Sequence, residues 1–474
     1  MNTPLSDTDP ASDATEQDGE SNLTSQVAAR GGLVLVGRLT SVALAFLFRA
    51  LATNLLGAAV YGVMALAMSI VSPVTRLGGA SFDRLVLRFG AAYQGQNNPA
   101  GTRTVVYQGM ALGVALGLLT GVACVVLSDA IAAWFRAPQL AQALRILGVS
   151  LPFYAAMAVA GAGLQVTHRM RSYVLWGVVC AVAISCITLP GLVWVLGPKV
   201  ESVALAQAIG WGVAGVGGAV AVFKTVGKGP LVTPSYRTQT RFMALTVLFV
   251  GANQIQQYID RLMLGALVTT AEVGVYDIAA GLTALIPIIL TAFNTAIFPT
   301  IGSLYHGGKL NEMRSLYRTM TRWILTLTLP SVLIVLCMSE WLLRIFGEEF
   351  QVGWVALSLL AIAQLFNVAV GPVGGMLLMT NKEHWLPLNS LVAGGFNVMG
   401  NYLLIPHLGI VGAALSTGLA IVLWNMAALI QVYGAFAVWP FDRHYWKPLL
   451  GALLGLAGHQ LVAQLLPGLP GALL

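Results

Sequence analysis

Charge is what this chain has least of. Of its 474 residues 9% are Asp, Glu, Lys or Arg, while 57% are hydrophobic; a soluble globular domain carries about 25% charged residues. That shortage excludes a water-facing surface over most of the chain. Acids are the scarcest: six of the 18 fall in the first 20 residues (Asp7, Asp9, Asp13, Glu16, Asp18 and Glu20), leaving twelve for all the rest. Between the apolar runs no loop exceeds roughly twenty residues, so there is no room for a soluble catalytic domain. Walker A, G-x-S-x-G and H-E-x-x-H patterns are absent, and an enzyme is the weaker class. The four cysteines, Cys124, Cys180, Cys186 and Cys337, lie in apolar runs without metal-ligand spacing, and the six histidines are scattered. These read as buried free thiols and no metal site.

What the chain has in quantity is long apolar runs. They fall at about 31–53, 58–80, 104–127, 141–163, 172–196, 202–223, 242–268, 273–300, 320–343, 352–378, 384–405 and 409–433, with a thirteenth near 448–466. Each approaches or exceeds the ~20 residues that cross a bilayer as helix. The predicted fold class is therefore an all-α polytopic membrane protein of about 12–14 transmembrane helices. A β-barrel would show short alternating segments instead.

Basic residues give an orientation. With the N-terminus in the cytoplasm, 17 Lys and Arg fall on the inner side and 4 on the outer, with Arg38, Arg49, Arg76 and Arg261 inside the segments. This is the positive-inside bias. It accounts for the basic excess, about +13 once the acidic tail is set aside from the net +7, without nucleic acid as a partner.

The chain also reads as duplicated. A shift of 212 residues carries Arg49 onto Arg261, Gly62 onto Gly274, Tyr93 and Gly95 onto Tyr305 and Gly307, and Leu196-Gly197 onto Leu408-Gly409. Six spans per half return the chain to the cytoplasm, so the repeats are parallel and their pseudo-two-fold runs along the membrane normal. The predicted organisation is a disordered acidic cytoplasmic tail (1–26), an N-terminal six-helix lobe (27–223), a basic cytoplasmic linker (224–240), a C-terminal six-helix lobe (241–433) and an extra helix or helices (434–474). The matching basic stretches 80–96 and 301–322 read as interfacial elements meeting membrane lipids.

Polar residues within the segments are the candidate site. On a helix over 242–268, Asn253, Gln256, Gln257 and Asp260 share one face, with Arg261 at its border. Such a stripe faces protein or a water-filled cavity rather than lipid; the plain alternative is helix–helix bonding with Arg261 snorkelling. Arg38, Arg49, Arg76 and Arg261 read as lining a cavity of stepped positive charge, against the alternative that each pairs with a nearby acid or a helix-end carbonyl. Such a cavity suits an anionic substrate such as a phosphate-bearing lipid, because the guanidinium fork pairs two phosphate oxygens. Asp83, Asp260 and Asp277 are the candidates for binding a coupling proton or sodium ion, against the alternative of ordinary interfacial charges. Asn294, Gln364, Asn367, Asn389, Asn397, Asn401 and Asn425 add polar points in the second half, as helix–helix bonds or as cavity lining.

The stretch FRALATNLLGAAVYG, with Arg49, Gly57, Tyr61 and Gly62, resembles the opening of polysaccharide-export transporters, the O-antigen flippases among them. YIDRLMLGALVTTAEVGVY, with Asp260, Gly265, Gly274 and Tyr276, resembles their seventh-to-eighth helix region. The likeness extends over most of 25–433 and is specific at the level of the multidrug, oligosaccharidyl-lipid and polysaccharide exporter superfamily. It implies two six-helix lobes in a V that open alternately to either face. It also implies translocation of an undecaprenyl-pyrophosphate-linked oligosaccharide across a bacterial inner membrane for surface polysaccharide synthesis, with a glycan polymerase or glycosyltransferases as contacts. Three other readings stand beside it: an ion-coupled multidrug antiporter, a peptidoglycan-precursor flippase, and a membrane glycosyltransferase or polymerase.

Overall fold

Prolines, glycines and side-chain caps punctuate an otherwise continuous helical sequence, and their positions set the architecture. The computed structural model describes residues 10–77, 81–232 and 236–441, and residues 445–448, 450, 451, 454, 455 and 457 beyond them. The first half comprises α1 (Pro10–Leu77), the short α2 (Phe82–Leu85) and α3 (Ala91–Gly95), α4 (Pro99–Trp134), α5 (Pro138–Val166), α6 (Met170–Ser172) running through a π-helical stretch into α7 (Cys180–Leu196), and α8 (Val200–Val226). The second comprises α9 (Tyr236–Leu267), α10 (Thr270–Thr283), α11 (Ile288–His306), α12 (Leu310–Cys337), α13 (Ser339–Arg344), α14 (Trp354–Ala369), α15 (Val373–Met379) and α16 (Trp385–Phe436). α4 opens with Pro99 behind the Asn98 side chain, which accepts from the Gly101 amide at 2.9 Å. α10 opens with a capping box between Thr269 and Glu272.

Nine helices among the described residues are long and apolar enough to cross a membrane. Two of them, Gly32–Arg76 and Trp385–Phe436, are each interrupted by a positive-φ glycine, Gly57 at 78° and Gly409 at 54°. A straight 52-residue helix would be about 78 Å long, more than twice the hydrocarbon thickness, so each counts as two crossings. α9, diluted by its amides, supplies one more. The expected span near 448–466 lies largely outside the described residues. α1 begins at Pro10, so residues 10–26 extend it in place of the disordered tail that their composition predicts. Proline in the first turn with acids following is a favourable helix start.

The duplication is visible in the backbone. Helices of the first half stop at positive-φ residues Asn97, Arg136, His168 and Gly197; those of the second stop at Gly308, Gly347, Asn381 and Gly409. The separations are 211, 211, 213 and 212 residues. Within the first lobe, glycines let backbones touch. A Cβ on Gly210 would strike the Ala181 carbonyl, and one on Gly215 the Phe153 carbonyl.

The lobes meet at both ends. At the end marked by Gly57, α1 crosses α10 where Gly62 and Gly274, themselves repeat partners, lie backbone on backbone; a Cβ on Gly274 would be 3.0 Å from the Gly62 nitrogen. Beside this crossing Asn54 Nδ2 donates to the Ile345 carbonyl at 2.8 Å, and the Ala58 amide to Glu349 Oε1 at 3.1 Å. At the opposite end Phe242, early in α9, meets the Phe89 ring edge-on and lies 4.5 Å from the Arg88 guanidinium carbon.

Candidate functional site

Two polar clusters sit back to back on α9. The first joins the lobes. Asp277 on α10 accepts from Arg261 Nε at 2.6 Å through Oδ1 and from the Tyr61 hydroxyl at 2.7 Å through Oδ2. Arg49 lies 3.8 Å from the same Oδ2. Arg261 also donates to the Gln257 carbonyl at 3.1 Å. Arg49 and Arg261 lie over the rings of Phe46 and Tyr258, 5.6 and 5.7 Å from their centroids. A Cβ on Gly281 would strike the Arg49 guanidinium, so this glycine makes its bed. Two guanidinium groups against one carboxylate leave a net charge of +1. A charge buried in apolar surroundings persists only when paired and hydrogen-bonded, and here the pairing is incomplete by one charge.

The second cluster lies inside the second lobe. Asp260, on the buried face of α9, accepts from Asn401 Nδ2 at 2.8 Å, Thr417 Oγ1 at 2.7 Å and the Tyr276 hydroxyl at 3.1 Å. All three donors are neutral, and among the described residues no cation pairs with this carboxylate. Asn397 donates to Thr417 Oγ1 at 3.1 Å, and its carbonyl accepts from Asn401. The side-chain carbonyls of Asn401 and Asn425 are buried without a donor. Asp260 forms part of the wall of a cavity of about 420 Å³, whose polar lining includes Gln256, Gln257, Asn367, Ser390, Asn397 and Asn425. The region is thus rich in acceptors and poor in positive charge.

Of the residues singled out in the sequence, Arg49 and Arg261 come together, and Asp277 holds them. Gln256, Gln257 and Asp260 line one cavity; the Asn253 side chain lies outside the described residues. Arg38 and Arg76 are not brought to either cluster. Arg38 is exposed and stands 11 residues before Arg49, about 16 Å along the helix. Arg76 is exposed at the far end of α1, beside Asp83. Burial pushes the Asp83 carboxyl above the usual carboxylate range, while Arg76 pulls the other way. Thr417 was invisible to sequence reasoning, because a threonine in an apolar helix carries no signal until its neighbours are known. Asp277 was legible as an acid but not as the partner of two arginines 228 and 16 residues away.

Two lobes of parallel repeats, crossing where Gly62 and Gly274 bring the second spans of the two halves together, have the architecture of the multidrug, oligosaccharidyl-lipid and polysaccharide exporter superfamily. The chain resembles a solved multidrug resistance MATE family transporter of the MOP superfamily in an inward-facing conformation (TM-score 0.70, 16% identity, covering 84% of this chain and 94% of that one). It resembles equally the lipid II flippase MurJ in an inward closed conformation (TM-score 0.70, 14% identity, covering 92% of both). Residues 28–305, more than half of the chain, match the family described as polysaccharide biosynthesis protein, and 246–403 match MatE. The chain belongs to the polysaccharide biosynthesis protein family. Curated relatives include the probable flippase AglR of Haloferax volcanii, 27% identical over 181 residues, and the probable low-salt glycan biosynthesis flippase Agl15 of the same organism, 25% over 164. Those matches cover 36% and 34% of this chain and span 37% and 35% of the relatives.

Proposed function

We propose that this protein flips a lipid-linked oligosaccharide, its sugars joined to a polyprenol through a pyrophosphate, from the inner to the outer leaflet of a bacterial cytoplasmic membrane. The observation that carries this reading is the Arg49–Arg261 pair at the lobe junction, with one excess positive charge beside an amide-lined cavity. The arginines take the pyrophosphate, since a guanidinium pairs two phosphate oxygens where an ammonium meets one. Amides on α9, α14 and α16 take sugar hydroxyls. The polyprenyl chain stays in the bilayer. Seventeen inner-side against four outer-side basic residues support a cytoplasmic N-terminus, which makes the Gly57 end the outer one. Asp260, with no cationic partner among the described residues and acceptor-rich surroundings, is the group that binds a coupling proton or sodium ion.

A second reading, an ion-coupled drug antiporter, draws on that same uncompensated carboxylate, which suits a cationic guest. The two are separated by charge selection. In proteoliposomes, Arg49→Ala and Arg261→Ala are expected to reduce translocation of a polyprenyl-pyrophosphate saccharide at least about tenfold, the scale of a lost buried charge pair, with insertion and expression intact. Undiminished flipping by both variants removes the phosphate reading, and energised export of an organic cation by the same vesicles establishes the antiporter.

A further inference from the structure

Asp277 has no task in the cycle described so far, yet it occupies the phosphate site. Its two oxygens take the two arginines and a tyrosine hydroxyl in the way that two oxygens of a phosphate would. The site is open on one side: the Arg49 side chain is 32% exposed, against 11% for Asp277. Two of the three links, from Arg49 and Tyr61, cross from the first lobe to the second. They lie just inward of the Gly62–Gly274 crossing and of the bonds from Asn54 to Ile345 and Ala58 to Glu349 that close the outer end. The carboxylate that neutralises the arginines is therefore also a tie between the lobes.

We infer that Asp277 is a built-in stand-in for the substrate's diphosphate, so that occupancy of the arginine pair and closure of the outer end exclude one another. This rests on reading Arg49 and Arg261 as the phosphate site. With Asp277 in place the cluster carries +1. An incoming diphosphate overturns that balance, and the repulsion falls on the carboxylate. Asp277 leaves Arg49 and loses the Tyr61 hydroxyl, so both of its cross-lobe ties go, and the outer end is held only by the neutral-donor bonds from Asn54 and Ala58 and the glycine crossing. When the diphosphate departs outward, the unpaired arginines draw Asp277 back and the end closes. Binding and opening are then linked by one factor, reciprocally.

The test uses the full-length protein in lipid nanodiscs with farnesyl pyrophosphate as probe. The reporter is Ala58→Cys, a position 2% exposed at the lobe junction, after the four native cysteines are replaced; a charged maleimide reads its accessibility. Farnesyl pyrophosphate is expected to speed labelling about tenfold, a typical coupling between linked sites, and farnesol to leave it unchanged. Asp277→Asn is expected to label fast without ligand and to bind farnesyl pyrophosphate about tenfold more tightly, since its competitor is gone. Tyr61→Phe, which removes one tie and no charge, is expected to raise ligand-free labelling by a smaller factor. Wild-type binding with no gain in either property for Asp277→Asn overturns the stand-in and leaves the phosphate site standing. Should Asp277→Asn fail to fold, unchanged labelling in Tyr61→Phe overturns it. Absence of farnesyl pyrophosphate binding to the wild type overturns the phosphate site itself.

Discussion

The Gly62–Gly274 crossing gives the sharpest handle on alternating access, because nothing there can move except backbone. A methyl on Gly274 lies 2.8 Å from the Ala58 carbonyl oxygen, 3.0 Å from the Gly62 nitrogen and 3.1 Å from the Gly62 Cα. No rotamer relieves these contacts. Restoring ordinary separation, about 3.4 Å, parts α1 from α10 by roughly 0.6 Å at the crossing, an overpacking that costs about 1–3 kcal/mol. The cost falls on the state in which the outer end is shut; a state with the lobes apart there escapes it. Gly274→Ala therefore shifts the closed-to-open ratio by about 5- to 150-fold. Spin labels at Leu55 on the first lobe and Val352 on the second, both exposed, report the distance by pulsed electron resonance in a cysteine-free background. The expected outcome is growth of the long-distance population. Gly395→Ala serves as control, for the added methyl meets nothing within 4 Å beyond its own stretch of helix. A folded Gly274→Ala with an unchanged distance distribution refutes the claim that this crossing gates the outer end.

Two further outcomes follow from single residues. Asp260→Asn keeps an acceptor oxygen for Asn401, turns an amide donor toward the Thr417 hydroxyl, which can accept it, and removes the charge. It is expected to abolish the sodium or pH dependence of substrate binding while leaving the protein folded, checked by titrating binding against each ion; a retained ion dependence excludes Asp260 as the coupling group. Gly409→Ala places a side chain at φ 54°, with its methyl 2.7 Å from Glu272 Oε1. A strained backbone of this kind costs about 1–3 kcal/mol, expected as a loss of a few degrees in thermal midpoint by fluorescence scanning, against no loss for the control at Gly395.

Legibility in the sequence followed the range of the physics. Span positions and register were readable because crossing a bilayer imposes a length on every segment, and the duplication imposes the same stops twice; Gly197 and Gly409 show both. The polar face of α9 was readable because Gln256, Gln257 and Asp260 repeat at helical spacing. Partner choice was not readable. Asp260 and Arg261 are adjacent and opposite in charge, which suggests a pair, yet neighbours on a helix point about 100° apart. One side chain turns into the second lobe and the other toward the junction. Each then finds a different complement: Asp260 the neutral donors of α10 and α16, Arg261 the carboxylate 16 residues further on, across the loop on α10.

That separation bears on mechanism. Had Asp260 neutralised Arg261, each would have been a structural ion pair, and neither charge would be free to respond to a ligand. Instead α9 carries a negative charge with only neutral partners among the described residues on one face and shares a surplus positive charge on another. In a low-dielectric setting both are costly, and both costs fall when an ion of the opposite sign arrives. A cation at Asp260 and an anion at Arg49 and Arg261 act on the same rigid helix, so each changes the energy of the arrangement that the other requires. Coupling between ion and substrate then needs no contact between them, only that α9 move as one body.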